Sequence, residues 1–553
     1  MSRGILRLRA LVAIVLLSLG AAAFSYAAPG SQTLVDLIRS GQRAAALTEI
    51  ASHHVNVNAA APDGSTPLMW AVYTVDQQMV RALLKRGAKA NVTNRYGATA
   101  LTEAVKVGDV EFVRMLLRAG ANANSPNQDG ETALMLASSI GSLPIAKLLV
   151  RRGATVNAVE SFRGQTALMW AAAENHPDVV ELLLKHGANV KVRAKYNDWP
   201  RQMTSEPRAQ FRQTGGLTAL LYATRSGCYR CAVAIVKAGA DVNQPNPDGV
   251  TPLINAIDNR SYDIAMFLLD RGANPGAWDM SGRTPLYVAV DLHSFNPRIL
   301  FFGGLAFGAR DAIAHHSNKA TAMDLVNRLL ALGVDPNHQL TRMRPNGNGR
   351  GRFEEYMLRG GTGPLMVAAM RYDVVALKAL LAHGAEVNLP NVFRITPLMA
   401  ACGMSGSGRG FLFGRGPGQR DIQARAIETI DLLMNAGANI NARVTGSHTH
   451  TAQLVAYVRG RDHEGQTALF AAAESGWDRV VKDLLARGAD PAVRDDDRKT
   501  ALDYARHPPP AFPGRRAPRG RGHSQDAARA ATVALLQAAL TKRGFGADVA
   551  RTK

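Results

Sequence analysis

The chain has 553 residues, 46% apolar and 20% charged, so it is too long for one hydrophobic core and too apolar for wholesale disorder. Its 51 glycines and 6% aromatic content suit small, closely packed helical units better than an aromatic-cored β-sandwich. Three cysteines exclude a disulfide-dense scaffold, and a formal charge of +21 raises nucleic acid or an anionic surface as partners.

The first element reads as an address. Arg3, Arg7 and Arg9 form a basic start, Leu11 to Gly20 is uninterrupted and apolar, and Ser25-Tyr26-Ala27 supplies small residues at the −3 and −1 positions. Residues 1–27 are therefore expected to be a signal peptide cleaved between Ala27 and Ala28, with an uncleaved anchor as the alternative. No later stretch reaches the roughly 18 apolar residues that span a bilayer. The expected product is exported, periplasmic or secreted, and carries +18 once the three arginines are gone.

Segment 31–62 follows as a degenerate N-terminal cap, and a repeat then begins. Gly-x-Thr-(Pro/Ala)-Leu recurs with its threonine at Thr66, Thr99, Thr132, Thr166, Thr218, Thr251, Thr284, Thr396, Thr467 and Thr500, with Gly363-Pro364-Leu365 as a variant. A second mark, close to Leu-Leu-x-x-Gly-Ala, places glycines at Gly87, Gly120, Gly153, Gly187, Gly239, Gly272, Gly333, Gly384, Gly437 and Gly488. The commonest interval is 33 residues. Threonine caps a first helix and proline is tolerated in its first turn. Leu-x-x-Ala lets first helices approach closely, and a second apolar helix stops at the glycine. Ala-Asn/Asp-x-Asn and Asp-Gly then supply turn chemistry for a projecting hairpin.

These segments, DGSTPLMWAV and LLLKHGANV among them, resemble the ankyrin repeat family over nearly the whole chain after residue 30. The resemblance implies an all-α repeat solenoid of helix–turn–helix units with β-hairpin fingers, here about 12 units including atypical caps. Repeats occupy 63–190, 215–294, 321–337, 363–402, 422–441 and 464–505, and a capping helix over 527–543 closes the chain.

Five inserts and a Pro/Arg-rich loop over 506–526 interrupt them. Comparing the two marks puts 191–214, 338–362 and 442–463 on the hairpin side, and 295–320 and 403–421 between two helices. Structureless loops of such length are uncommon unless functional or disordered. The inserts, with 506–529, carry the whole +18, so the repeats and caps are neutral. Arg/Gly-rich stretches such as GSGRGFLFGRGPGQR read either as grips for anionic polymer or membrane surface, or as solvated loops. Export disfavours nucleic acid as the partner.

Cys228-Tyr229-Arg230-Cys231 resembles a redox motif, but Ala232 stands where haem attachment needs histidine. Three residues apart on a helix, Cys228 and Cys231 lie within reach of a disulfide, the leading reading. Packing as thiols and redox cycling are the alternatives. Cys402 takes a small-residue position and reads as a buried inert thiol. His448, His450 and His463, like His315 and His316, show no fixed metal-ligand spacing, and Gly406-x-Gly408 lacks the strand a dinucleotide fingerprint needs. No catalytic motif, metal, cofactor or small-molecule substrate is expected. Met69, Met135, Met169, Met366 and Met399 read as packing between first helices, or else as an adaptable groove.

The resemblance implies a non-enzymatic binder of protein partners through hairpin tips and exposed first-helix positions. In register these are Tyr73 and Thr74, Lys106 and Val107, Ala173 and Glu174, Arg225 and Ser226, Asp258 and Asn259, Met370 and Arg371, and Glu474 and Ser475. They vary while the frame recurs.

Overall fold

The side chain of Thr66 accepts a hydrogen bond from the amide of Met69 at 3.3 Å, and this cap opens the helix Pro67–Tyr73. Thr132, Thr166, Thr218, Thr251, Thr284 and Thr396 repeat the contact on the residue three positions on. Each satisfies an amide that the helix leaves without a partner and is worth about 1 kcal/mol. The computed structural model describes residues 33–52, 54–196, 215–294, 318–341, 360–404, 419–446, 463–508 and 523–545. The signal segment with Ala27 and Ala28, and the central parts of the inserts, lie outside these residues.

The chain divides into two compact units, 1–162 and 163–553. In the first, helices pair as Leu34–Arg39 with Arg43–Ala51, Pro67–Tyr73 with Gln77–Lys85, Ala100–Val107 with Val110–Arg118, and Ala133–Ser139 with Leu143–Arg151. The cap lacks the Thr-Pro-Leu start, yet Thr33 and Asp36 form a reciprocal capping box there. In the second unit the pairs run from Ala167–Ala173 with Pro177–Lys185 to Ala501–Arg506 with His523–Lys542. The last helix begins a few residues before the expected 527. Within each unit first helices pack on first helices, and second on second. Leu68, Leu101, Leu168 and Leu253 are fully enclosed, each side chain contributing about 1.5–3 kcal/mol. Met69, Met135, Met169, Met366 and Met399 are all buried between first helices, so the chain uses them as packing.

The projecting turns differ from the β-hairpins that the resemblance implied. Among the described residues only isolated bridges occur, Arg193 with Thr218 and Tyr196 with Gly215. A tip is instead closed by one backbone bond, as from Asn94 to Ala98, and tied to its neighbour by another, as from Arg95 to Asp63 at 2.9 Å. Close stacking explains Gly97, whose φ is +72° and where a Cβ would stand 2.7 Å from the amide nitrogen of Gln128.

An asparagine ladder holds the stack together behind the tips. Asn91 donates to the carbonyl of Gly120 at 2.9 Å and accepts from the amide of Asn122 at 2.7 Å. Asn243 and Gly272 repeat this in the second unit. The partners are normally 29 residues apart, but Asn337 and Gly384 are 47 apart and Asn388 and Gly437 are 49 apart. The ladder therefore steps over the inserts without losing register.

Candidate recognition surface

A first helix buries the face bearing its leucine and small residues, so its last turn emerges beside the tip. In the first unit this turn carries exposed apolar side chains among polar ones. Tyr73 is 63% exposed and Val107 38%, while Thr74 and Lys106 are exposed beside them. Tyr73 meets Trp70 edge to face at 5.6 Å, and the Arg39 guanidinium lies over the same indole at 6.0 Å. Lys106 is matched by Glu103 at 2.9 Å.

The second unit presents a more polar surface. Glu174 and Arg225 are exposed, Ala173 and Ser226 half-buried. Arg225 stacks over Tyr222 at 4.9 Å, and the Ser226 hydroxyl donates to the carbonyl of Ala172 at 2.7 Å. Asp258 and Asn259 are half-buried, and Asp258 receives Arg283 at 3.0 Å. Arg283 is buried and also meets Asp279 at 2.6 Å. Burial alone would lower its pKa, but the two carboxylates outweigh it and hold the guanidinium charged. Glu474 and Ser475 are half-buried, with the Ser475 hydroxyl donating to Ala471.

Met370 and Arg371 correct the sequence reading. Met370 is only 5% exposed, and Arg371 is turned inward, its Nη1 2.8 Å from a carboxylate oxygen of buried Asp291. The cause is the helix Pro285–His293, longer than Pro252–Asp258, whose final residues cover the next first helix. Beyond it the His293 ring and the Ser294 hydroxyl both meet Asp373 Oδ2, at 2.6 and 2.7 Å, while Asp373 caps the helix Val374–Ala382. The bond to Asp373 raises the His293 pKa despite half-burial. Burial would raise that of Asp373, but His293, Ser294 and the Ala376 amide together bring it down.

Tip residues complete the surface, and sequence reasoning did not single them out. Tyr96 is 69% exposed in the first unit, and Trp278 is exposed in the second. An aromatic flanked by turn residues, as in Arg95-Tyr96-Gly97, was the available signal.

A second unexpected feature holds the hairpin-side inserts. Arg193 donates to the carbonyls of Gly216, where the insert returns, and Pro245, on the following tip, at 2.9 and 2.8 Å. Arg443 does the same to Gly465 and Arg494, and Gln339 to Gly361 and Pro390. All three donors stand six residues after a repeat glycine, where uninterrupted units carry Thr93, Pro126, Pro245 or Trp278, and where Arg494, with no insert to hold, donates to the carbonyl of Arg498 in its own tip at 2.8 Å. A long donor at that register closes the base of the insert and anchors it to the stack.

Cys228 and Cys231 form a disulfide with Cα atoms 5.2 Å apart, and both are buried. Cys402 is a buried free thiol whose pKa burial pushes well up, with Asp483 adding to the shift. His463 is buried, its Nδ1 2.7 Å from Gln466. His448, His450, His315, His316, Gly406 and Gly408 lie outside the described residues. Among the described residues no group of three or more His, Cys, Asp or Glu is placed to hold a metal ion, and no helix is long and apolar enough to cross a membrane.

The family model for ankyrin repeats matches residues 34–127, 101–194 and 220–296, and a single ankyrin repeat matches 464–496. A relative described as "Probable E3 ubiquitin-protein ligase XBOS34", from Oryza sativa subsp. japonica, is 38% identical over 130 residues. That segment is 24% of this chain, which spans only 18% of the relative's length.

Proposed function

The chain belongs to the ankyrin repeat family, whose repeats serve protein–protein interaction, and from that premise we propose an exported, non-enzymatic scaffold that binds its partner on first-helix ends and tips. One contrast carries the reading. The frame of buried threonine caps and leucines and of ladder asparagines recurs from unit to unit, while Tyr73, Lys106 and Arg225 at matching exposed positions all differ. A constant frame with a varied exposed row suits recognition of one particular surface. Export rests on the signal-like segment 1–27. The likeness to the ligase is too short to bring an activity with it, since function belongs to sites and not to a shared fold.

Quantitative crosslinking of the full chain in its own cell envelope tests the proposal. A protein partner joined near Tyr73, Lys106, Glu174 or Arg225 is expected. If charge reversal at Lys106, Glu174 and Arg225 leaves every partner bound, the surface assignment is wrong.

A second reading is favoured by the charge arithmetic, which puts the whole +18 in the inserts and 506–529, three of the inserts clamped at the base. They would bind an anionic polymer or membrane surface. Its mark is steep salt dependence that disappears on deleting 506–525.

A further inference from the structure

We propose that the outer face of the second helices in the first unit docks on an anionic lipid bilayer. This surface is distinct from the first-helix ends and tips, and from the inserts.

Six cations stand there in register. The positions six and two residues before the repeat glycine hold Arg81 and Lys85, Arg114 and Arg118, and Lys147 and Arg151. Both positions are basic in these three successive repeats and in none of the seven that follow, where Glu181, Met266, Asp270 and Asp431 are among the occupants. A spacing of four puts each pair on one side of its helix, opposite Met79, Val80 and Leu83 or their buried counterparts. Arg114 is half-buried and the other five are exposed. Second helices pack on second helices, so the six form a grid two by three. Its spacing is about 6 Å along a helix and about 8–10 Å between helices.

The repeats balance to zero only as a whole. Within Gln77–Lys85, Val110–Arg118 and Leu143–Arg151 the six cations meet one acid, Glu111, which pairs with Arg114. Among the described residues the other five make no ion pair. In the second unit the same helices mix both signs, and Arg328 meets Asp270 while Arg487 meets Asp431 and Asp483.

Folding does not favour the grid. The partial negative charge at a helix C-terminus suits Lys85, Arg118 and Arg151 in the last turn. Arg81, Arg114 and Lys147 are instead the middle residues of nine. Like charges four residues apart are destabilising, and three successive helices repeat the arrangement.

The chemistry of the face selects a membrane. A packed protein interface has an apolar centre, and a single-stranded nucleic-acid groove has stacking aromatics. No exposed large apolar side chain stands on these three helices. A two-dimensional array of cations without apolar anchors complements a plane of anionic headgroups.

The test is cosedimentation of the full chain with two kinds of vesicle, phosphatidylcholine alone and phosphatidylcholine with phosphatidylglycerol in equal parts. The ratio of the two affinities isolates charge. A cation near such a surface is worth about fivefold, so Arg81→Glu with Lys147→Glu should lower the ratio at least about tenfold. Lys237→Glu with Lys482→Glu, the same charge change on exposed second-helix sites of the second unit, should lower it by less than about twofold. The first pair should melt no lower than the parent, because each glutamate then stands four residues before Lys85 or Arg151, a favourable order. A parent ratio near one, equal losses in the two double variants, or a first-pair loss with a lowered melting temperature would overturn the proposal. So would a first-pair defect on immobilised heparin that leaves vesicle binding intact, since the occupant is then a soluble polyanion.

Discussion

The side-chain amide of Asn337 donates to the carbonyl of Gly384 at 3.1 Å although 47 residues of chain separate them. The same asparagine accepts from the amide of Glu386 at 2.7 Å, so one side chain joins the repeats on either side of an insert. The 47 residues exceed the usual 29 by the insert alone.

Asn337→Ala should therefore cost more than removing the insert itself. Two part-exposed hydrogen bonds are worth about 1–2 kcal/mol together. Deleting 343–358 and joining the ends with a short Gly/Ser turn should leave stability within about 0.5 kcal/mol, as loop changes away from the core do. Urea unfolding followed by circular dichroism compares the two. A deletion that unfolds the helix Pro364–Met370 would refute the independence of scaffold and insert.

Arg371 is expected to act on stability and Tyr73 on binding. Arg371→Ala removes the guanidinium that faces the buried carboxylate of Asp291, and breaking such a buried pair costs up to about 3–5 kcal/mol. Pairing Arg371→Met with Asp291→Asn should recover much of that loss, because no lone charge remains buried. Tyr73→Ala, on an exposed side chain, should change stability by less than about 0.5 kcal/mol. Equal losses for Arg371→Ala and Tyr73→Ala in denaturant titrations contradict the assignment.

The pair of His293 and Asp373 gives a pH dependence with a definite sign. The raised His293 contributes stability that is fully present below its ordinary value of 6.5 and is lost as pH rises through the raised value. The lowered Asp373 contributes stability present above 3.8 and lost as pH falls through the lowered value. The contact is thus firmest in mildly acidic solution. Histidine ring resonances followed by NMR should show a lower pKa for His293 in Asp373→Asn. An unchanged titration means the contact does not govern the ring.

Thiol labelling should follow burial. Native protein should take up no maleimide, because Cys228 and Cys231 are bonded and Cys402 is enclosed with its thiol held protonated. Denaturation without reductant should expose one thiol per chain, and with reductant all three. Mass spectrometry that finds three labels before reduction would rule out the bridge and reopen the reading of the cysteines as packing thiols.

The helix pairs were legible because their causes are local. Thr66 caps its own helix three residues on, and Gly108 ends its helix with a left-handed turn. The methionine stripe was equally legible, since Met135 sits on the helical face shared with Leu134 and Ala137, and all three are buried. The candidate surface was legible only in part. Register alone exposes Tyr73, Val107 and Glu174, but it put Met370 and Arg371 on the same footing, and the tips Tyr96 and Trp278 escaped notice.

By itself the sequence determined the repeat, its starts and stops, and the confinement of the net positive charge to the inserts and 506–529, for each follows from bonds within a few residues or from composition. The tertiary structure decided what those residues meet. The longer helix Pro285–His293 brings Asp291 against Arg371 and His293 against Asp373, partners 80 residues away. Long donors such as Arg193 and Arg443 become clamps only when the chain returning from the insert and the next tip bring two carbonyls within reach. Burial and long-range pairing are properties of neighbours, and a repeat register contains no information about a neighbour that has changed length.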